Sequence, residues 1–197
     1  MRLRQPQFEA AFEFDGAYAR ADILNPVGPD ARDLIEVKST TNVMDIHLHD
    51  LAFQAYVFTG AGLNIRRCLL AHINGDYVRQ DQIDPRSFFV PEDVTSQVSE
   101  WSREVPDILD EMFRIIRQPE YPQFAIGPQC DDPYDCPLHD FYWKFLPDNN
   151  VLTLYRGRTK GFKLLAEGIT ELKNIPEGVS LTANQKIQRK ASITGHP

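Results

Sequence analysis

A strand-like segment from Asp33 to Ser39 places the strongest constraint on what this chain can fold into. Its residues alternate with the period of two that is typical of a β-strand, so apolar side chains share one face and Glu36 and Lys38 share the other. Burying charged groups costs on the order of several kcal/mol unless they are paired or bound to a metal ion. An acid and a base on one strand face therefore predict a further polar partner, and Asp22 on the preceding predicted strand is the nearest candidate.

The residues around this segment predict a three-stranded meander followed by a helix. Phe8 to Phe14 alternates and is followed by Asp15-Gly16, which is a strong signal for a hairpin turn. Tyr18 to Leu24 is the predicted return strand, and residues 33–39 add the third strand. A helix is then predicted from about Asp45 to Thr59.

The next elements complete a mixed sheet in this prediction. Ile65 to Ile73 is apolar enough for an inner strand, Asn74-Gly75 is a turn signal, and a further strand includes Tyr77 and Val78. The predicted order is βββαββ, in which a helix crosses one face of a mixed sheet, so the predicted fold class is α/β (α+β). Residues 1–83 form the predicted core domain.

Residues 84–175 predict a helical and cysteine-containing C-terminal appendage. Apolar residues recur at helical spacing from Ser96 to Gln118, and Pro106 within that span is expected to kink the helix or to split it. The segment from Pro119 to Pro137, which is rich in proline, aspartate and cysteine, is predicted to be an ordered loop.

The last part of the chain gives weaker signals. Leu152 to Tyr155 and Phe162 to Leu165 predict the two strands of a small hairpin, and Ile169 to Ile175 predicts a short helix or turn. Residues 176–197 predict a weakly anchored tail that is helical from Leu181 to Lys190.

Composition bounds the class of protein. The 197 residues are 42% hydrophobic and 25% charged, which is typical of a globular protein with a full core. A net charge of −7 argues against nonspecific nucleic-acid binding as the main role, but it leaves room for a local basic groove. No apolar run approaches the ~20 residues that span a bilayer and no signal peptide is visible, so we expect a cytoplasmic protein without a membrane partner. Three cysteines do not predict a disulfide framework. The basic residues form local groups: Arg2, Arg4, Arg66, Arg67, Arg156, Arg158, Lys160 and Lys163.

The order of the polar residues resembles that of a known family. Asp22 on one predicted strand, Glu36-Val37-Lys38 on the next and Gln54 on the following helix resemble the motifs of the PD-(D/E)XK nuclease superfamily in its RecB-like branch. The resemblance implies a mixed sheet of the restriction-endonuclease-like type. It also implies DNA as the partner and hydrolysis of its phosphodiester bonds as the activity.

The resemblance assigns a role to each of these residues. Asp22 and Glu36 would supply carboxylates, and Val37 a backbone carbonyl, to Mg²⁺ or Mn²⁺, which favours hard oxygen ligands. The metal ion would neutralise charge at the phosphate and activate a water molecule. Lys38 would orient or help to deprotonate that water and stabilise developing charge, and Gln54 would position Lys38 or the nucleic-acid backbone.

Other positions on the predicted helix and strand add detail. Asp50 lies one turn before Gln54 on the same helix face and is a weaker candidate for supporting the site. Phe58 stands where the family usually has tyrosine, so its ring can pack but the hydroxyl is absent. An alternative interpretation is that Glu36 and Lys38 form only a solvated strand face with a weak surface pair.

The histidines and one cysteine favour structural roles. His47 and His49 are two positions apart and point in different directions on a helix, so we expect capping or surface residues rather than a metal pair. His72 in an apolar strand predicts a hydrogen-bonded core histidine, and Cys68 in the same strand predicts a small core residue.

The segment around Cys130 and Cys136 resembles a cysteine-rich stretch of the iron–sulfur members of this family. In those members, three such cysteines and one upstream cysteine hold a four-iron cluster. Here Tyr142 occupies the third position, so the segment is interpreted as a remnant that does not hold a cluster. A zinc site built from Cys130, Cys136 and His139 is conceivable, but it lacks a clear fourth ligand.

A longer span, from Phe8 to about Ile187, resembles the RecB-like half of large bacterial proteins of unknown function that also carry a DnaQ-like exonuclease domain. This resemblance implies an exonuclease-like domain or partner protein. The family places a helix with a further ligand before the first strand, whereas this chain begins on the strand, so we expect a fragment, an excised domain or a short form. Glu9 and Glu13 are available for the missing ligand role, although nothing in their spacing requires it.

Two further interpretations stay open. A nuclease-like scaffold that has lost cleavage would bind nucleic acid or a protein partner, but the presence of all four polar motif residues opposes it. A chance motif on an unrelated sheet is the third interpretation, and a large separation between Asp22 and Glu36 would support it.

Overall fold

The computed structural model describes residues 5–132 and 134–195. Arg2 and Arg4 of the predicted basic groups, Pro133 of the predicted loop and the last two residues of the predicted tail lie outside the described residues. The chain forms two compact units, Met1–Pro119 and Glu120–Pro197.

The first unit is built on one five-stranded sheet with the spatial order β1-β2-β3-β4-β5. Strands β3 and β4 pair in parallel, and the other neighbouring strands pair antiparallel. The predicted mixed α/β sheet is therefore confirmed. The strands are β1 (Gln7–Phe14), β2 (Ala17–Val27), β3 (Ala31–Lys38), β4 (Asn64–Ile73) and β5 (Phe89–Asp93).

The hairpin that opens the sheet has the predicted two-residue turn. Asp15 and Gly16 lie between the paired residues Phe14 and Ala17 and adopt φ values of 51° and 73°. Positive φ at both central positions is what a tight hairpin turn of this hand requires, and aspartate followed by glycine adopts it at low cost. The turn therefore fixes the register of β1 against β2.

Helix α1 (Asp45–Gly60) connects the parallel strands β3 and β4 and packs against the sheet. Parallel neighbours need such a crossover, and a helix supplies it. Apolar side chains of α1 are fully buried, with Leu51, Val57 and Phe58 each 0% exposed. The helix therefore holds its remaining polar residues in a fixed orientation over β3.

The fifth strand lies later in the chain than the sequence predicted. Tyr77 and Val78 are not in a strand, and Val78 is 79% exposed. β5 instead pairs antiparallel with β4 and contains Pro91. Proline is tolerated in an edge strand because one side of that strand needs no hydrogen-bond donor. The first unit extends to Pro119, so it includes β5 and the chain that follows it up to that residue, whereas the predicted core domain ends at residue 83.

The predicted long helix is split, as Pro106 indicated. Helix α2 (Pro85–Phe88) precedes β5, and helices α3 (Thr95–Trp101) and α4 (Val105–Ile116) follow it. Pro106 occupies the first turn of α4, where its missing N–H group costs no hydrogen bond.

The second unit is helical where a hairpin was predicted. Its elements are α5 (His139–Tyr142), α6 (Arg158–Ala166), α7 (Ala183–Thr194) and three 3₁₀ turns, Pro128–Cys130, Val151–Thr153 and Leu172–Asn174. The predicted strands at residues 152–155 and 162–165 were wrong, because alternation over four residues does not separate a strand from a helix. The predicted loop and the short turn near residue 172 agree with the structure.

The C-terminal helix α7 is anchored mainly by polar contacts. Thr182 and Gln185 form a reciprocal capping box at its start. Gln185 is buried and donates a hydrogen bond to the Tyr155 carbonyl (2.9 Å). Ile187 and Ile193 on the same helix stay 64% and 57% exposed, so α7 contributes little to the apolar core of the unit.

A buried ion cluster at the start of β3 makes the fold sensitive to acid. Asp33 is 2% exposed and accepts two hydrogen bonds from Arg66 (2.9 and 2.7 Å) and one from Arg67 (2.8 Å). Hydrogen bonding by Arg66 is the main cause that lowers the pKa of Asp33, against the opposing effect of burial. The stabilisation is therefore present above the pKa of an unfolded aspartate and is lost as the pH falls through the lower folded pKa.

We expect Asp33→Asn to lower the free energy of unfolding by roughly 1–3 kcal/mol at pH 7. The difference from wild type should shrink as the pH falls below about 4, since Asp33 then takes up a proton in the unfolded chain before it does so in the folded chain. Urea denaturation at pH 7 and pH 3 measures both effects. A difference that is the same at both pH values would contradict the assigned role of the Asp33 carboxylate.

Candidate functional site

The candidate site lies where strands β2 and β3 separate. Their main-chain pairing ends at Ile23 and Ile35. Beyond that point the Val37 N–H group donates a hydrogen bond to Oδ2 of Asp22 (2.7 Å), so a side chain replaces the missing strand partner. Asp22 is therefore next to the residues of β3, and the large separation that would have favoured a chance motif is not observed.

Oxygen atoms lie close together where β2 separates from β3. The N–H and C=O groups of a strand residue point toward the same neighbouring strand, so the Val37 carbonyl lies on the edge that faces Asp22. Oδ1 of Asp22 makes no hydrogen bond to any of the described residues. Asp22 and the Val37 carbonyl thus present oxygen atoms on the same edge of β3.

Glu36 is the buried acid of the site. It is 7% exposed, and its oxygens accept hydrogen bonds from Nζ of Lys38 (2.7 Å) and Nε2 of Gln54 (2.9 Å). Burial raises the pKa of Glu36 and outweighs the lowering effect of these two donors, and the nearby charge of Asp22 raises it further. A carboxylate whose charge is poorly solvated would be stabilised by a cation placed beside it.

Lys38 links the strand to the helix. Its Nζ donates to Glu36 and to Oδ2 of Asp50 (2.5 Å). Burial alone would lower the pKa of Lys38, but the hydrogen bonds to Asp50 and Glu36 outweigh burial and raise it. Lys38 is therefore a cation at neutral pH, and Asp50, the weaker candidate in the sequence, is one of its two direct partners.

Gln54 carries an unusual orphan atom. It is 5% exposed, and its Nε2 donates to Glu36 and, over 3.4 Å, to Oδ1 of Asp50. Its Oε1 is buried and has no hydrogen-bond partner among the described residues. A buried oxygen without a partner costs free energy, so this atom has an unmet capacity to accept a hydrogen bond.

Two histidines of α1 have different environments. His47 is 6% exposed and its Nδ1 accepts a hydrogen bond from the Met44 N–H group (3.2 Å), which confirms a capping role but not a surface position. Burial lowers the pKa of His47, and the charge of Lys38 contributes. His49 is exposed and its ring lies 4.0 Å from that of Trp101. The place of His47 beside Lys38 was not apparent from the sequence, because it depends on the rotation of α1.

The remaining predictions for single residues hold in part. His72 is 6% exposed and bonds to Glu92 (2.7 Å), as expected of a hydrogen-bonded core histidine. Cys68 is 4% exposed, and burial raises the pKa of its thiol to about 12. Phe58 is fully buried. Glu9 pairs with Arg20 (2.8 Å) on the exposed surface of the hairpin.

The cysteine segment shows no metal site in the described part of the chain. Cys130 and Cys136 are free thiols, and the Cys136 N–H group donates to the Cys130 carbonyl (2.8 Å). The ring of His139 stacks on Trp143 at 4.0 Å instead of facing a shared centre, and the Tyr142 hydroxyl donates to the Pro122 carbonyl (2.8 Å). No group of three or more histidine, cysteine, aspartate or glutamate side chains suited to a metal ion occurs among the described residues.

The candidate site offers a smaller donor set, which includes a backbone carbonyl. Asp22, Glu36 and the Val37 carbonyl are hard oxygen donors of the kind that Mg²⁺ and Mn²⁺ prefer, and Mg²⁺ usually keeps several waters in addition. Each carboxylate oxygen can accept more than one partner, so the bonds from Lys38 and Gln54 leave capacity on Glu36. By donor chemistry, these residues fit a divalent cation.

Comparisons with known proteins leave the family open. No family model matches the chain, and no curated protein matches it. One similar solved structure is titled "Crystal structure of SSO0001", with 12% sequence identity and a TM-score of 0.29 over 52% of this chain and 50% of that chain. The alignment therefore spans about half the length of each protein, and a similarity this low carries no argument.

No helix in the described ranges combines the length and the apolar character that crossing a bilayer requires.

Proposed function

We propose that this chain is a nuclease of the PD-(D/E)XK type that hydrolyses DNA phosphodiester bonds with Mg²⁺ or Mn²⁺. The observation that carries the proposal is the convergence of the acidic and basic motif residues at one place, where β2 separates from β3. Asp22 reaches the backbone of Val37, and Glu36 contacts both Lys38 and Gln54. The motif is thus a spatial cluster as well as a pattern in the sequence.

The proposed metal ligands are Asp22, Glu36 and the Val37 carbonyl. A bound divalent cation would polarise the phosphate and lower the pKa of a coordinated water. The desolvated carboxylate of Glu36 supports this assignment, because a cation offsets the cost of its buried charge.

Lys38 is proposed to stabilise the negative charge that develops on the phosphate. Its raised pKa favours the role of a fixed cation over that of a base that must first lose its proton. Asp50 would keep Lys38 in place when a metal ion competes for Glu36, since it holds the same ammonium group at 2.5 Å. Gln54 would hold Glu36 in place through Nε2.

The restriction-endonuclease-like fold is part of this proposal. Support comes from the meander β1 to β3, the α1 crossover and the parallel pairing of β3 with β4. The finer proposal also includes a cytoplasmic location and an exonuclease-like domain or protein as a further partner.

One observation favours a second candidate, a scaffold that has lost cleavage and binds nucleic acid or a protein partner. Both oxygens of Glu36 already accept hydrogen bonds from Lys38 and Gln54, so the acid is satisfied without a metal ion. In that case, the cluster would stabilise the fold rather than act on a substrate.

Metal titration by calorimetry, with cleavage of labelled single- and double-stranded DNA followed in parallel, separates these candidates. We expect wild type to bind Mg²⁺ or Mn²⁺ and to cleave DNA, and to lose cleavage in EDTA. Asp22→Asn should weaken metal binding by at least about tenfold, since it removes a charged ligand.

Asp30→Asn is the matched control, because Asp30 is an exposed aspartate in the turn between the same two strands. It should bind metal as wild type does. Metal binding without cleavage of DNA would favour the scaffold. An absence of metal binding would count against the assignment of Asp22 and Glu36 as ligands, and it would agree with a scaffold in which Lys38 and Gln54 satisfy Glu36.

A further inference from the structure

The end of the chain is a basic stretch of sequence that the proposed active site does not use. Residues 149–197 contain eight lysines and arginines but three glutamates, a net charge of +5 in a chain whose total is −7. Such a local reversal of charge is typical of a surface that meets a polyanion.

Part of this charge lines a groove in the second unit. A cavity of about 530 Å³ lies beside the start of α6 and is lined by Arg156, Arg158, Lys160 and the hydroxyl-bearing Thr159 and Thr182. None of the described residues that line it is acidic. The lining therefore offers cations and hydroxyl donors, which are the groups that bind phosphate oxygens.

A second cavity of about 300 Å³ continues this groove. It shares Arg156, Thr182 and Gln185 with the first cavity and adds Tyr155 and Asn184. Arg156 therefore lies where the two cavities meet, and the ring of Tyr155 lines the second cavity.

The partners of the three cations decide which charges are free. Arg158 is neutralised by Asp131 through two bonds of 2.8 Å. Lys160 donates to the carbonyl of Ser180 and to Oε1 of Gln185, which are neutral acceptors and leave its charge uncompensated.

Arg156 lies with its guanidinium group over the ring of Tyr155, at 5.5 Å from the ring centre, and has no acidic partner among the described residues. Two uncompensated cations therefore line a groove that has space for a ligand.

We propose that this groove binds the phosphate backbone of a nucleic-acid strand through Arg156 and Lys160. Tyr155 is 47% exposed and offers a ring face on which a base can stack. The pairing of free cations with an exposed aromatic ring favours a single strand over a peptide or a lipid surface, which have phosphate or carboxylate groups without stacking bases. The identity of the ligand rests on the proposed function, whereas the groove itself does not.

The test is binding of a fluorescein-labelled oligothymidylate to the full chain in EDTA, measured by fluorescence anisotropy over a range of salt concentrations. Without divalent metal no cleavage occurs, so the result is independent of the active site. Arg156→Gln and Lys160→Gln should each weaken binding and reduce the slope of log K against log salt concentration by about 0.7. Tyr155→Ala should weaken binding by roughly five- to a hundredfold, as expected for the loss of one stacked base.

Arg79→Gln and Lys144→Gln are matched controls, because both residues are exposed and lie outside the groove. They should keep the wild-type affinity and slope. Unchanged binding by Arg156→Gln and Lys160→Gln, with both variants folded by circular dichroism, would overturn the proposal. Equal displacement of the oligonucleotide by poly-aspartate or by anionic lipid vesicles would overturn the assignment to nucleic acid.

The two proposals fail separately. If wild type cleaves DNA and Arg156→Gln binds the oligonucleotide normally, the proposal for the groove is rejected and the proposal for the nuclease stands. If the groove variants lose oligonucleotide binding and the protein binds no metal ion, the proposal for the nuclease is rejected and the proposal for the groove stands.

Discussion

Replacing Lys38 by methionine is expected to reduce metal-dependent DNA cleavage by about 10²–10⁴-fold, the range that a positioned charged or proton-transferring group supplies. Methionine keeps much of the length of the side chain but removes the ammonium group that contacts Glu36 and Asp50. Metal binding should persist, because Lys38 is not among the proposed ligands. Single-turnover cleavage and calorimetric metal titration measure the two effects independently.

The direction of the metal effect tests this assignment further. Without Lys38, Glu36 loses one of its two donors and its buried charge is less compensated, so its affinity for a cation should stay the same or rise. Lys144→Met is the matched control, since Lys144 is an exposed lysine that lies over the ring of Phe141. Cleavage by Lys38→Met at the wild-type rate would exclude a role in the chemistry. Loss of both metal binding and folded structure would assign Lys38 a structural role.

The elements that the sequence predicted well are those whose signals are local. The turn at Asp15 and Gly16 requires only two residues that tolerate positive φ, and β1 and β2 follow from alternation on either side of it. Helix α1 is a mostly apolar segment that ends at Gly60, and glycines at positions 60 and 62 mark that end in the sequence. Local signals of this kind do not depend on what the rest of the chain does.

The misplaced strand shows what local signals leave out. β5 contains Pro91 and is stabilised by its pairing with β4, which is distant in sequence, whereas Val78 lies in a segment that also looked extended. Only the position at the free edge of the sheet makes a proline acceptable there. In the second unit, α6 lies where a strand was predicted, and its Gly161 packs closely on the turn at Val151, where an added Cβ would lie 2.5 Å from the Val151 carbonyl oxygen.

The sequence predicted which residues lie at the candidate site, but it did not predict which of them contact one another. The spacing of Asp22, Glu36, Lys38 and Gln54 along successive elements indicated that they would meet. The contact of Asp50 with Lys38 and the burial of His47 depend on how α1 is rotated over β3, which no single spacing encodes. The separation of β2 from β3 at Ile23 and Ile35 is equally non-local, and it is what exposes the edge on which Asp22 and Val37 meet.

The buried side chains of α1 hold the helix in its orientation over the sheet, and Phe58 is one of them. Phe58→Ala should lower the free energy of unfolding by about 3–5 kcal/mol. Phe58 is 0% exposed and its ring meets that of Phe12 edge to face at 5.4 Å. Truncation removes the buried apolar surface and leaves a cavity between α1 and the sheet. Urea denaturation followed by circular dichroism measures the loss, and the melting temperature should fall by about 2–4 °C for each kcal/mol.

Phe8→Ala is the control for this substitution, because Phe8 lies on β1 of the same sheet but is 69% exposed. Its effect should stay within about 0.5 kcal/mol. A comparable loss in both variants would mean that the buried ring of Phe58 contributes no more to the free energy of unfolding than an exposed ring on the same sheet. Because Phe58 follows Gln54 by one turn of α1, a loosened helix end should also weaken the contact of Gln54 with Glu36. Cleavage by Phe58→Ala should therefore fall even at temperatures where the variant is fully folded, and unchanged cleavage there would separate the packing of α1 from the geometry of the site.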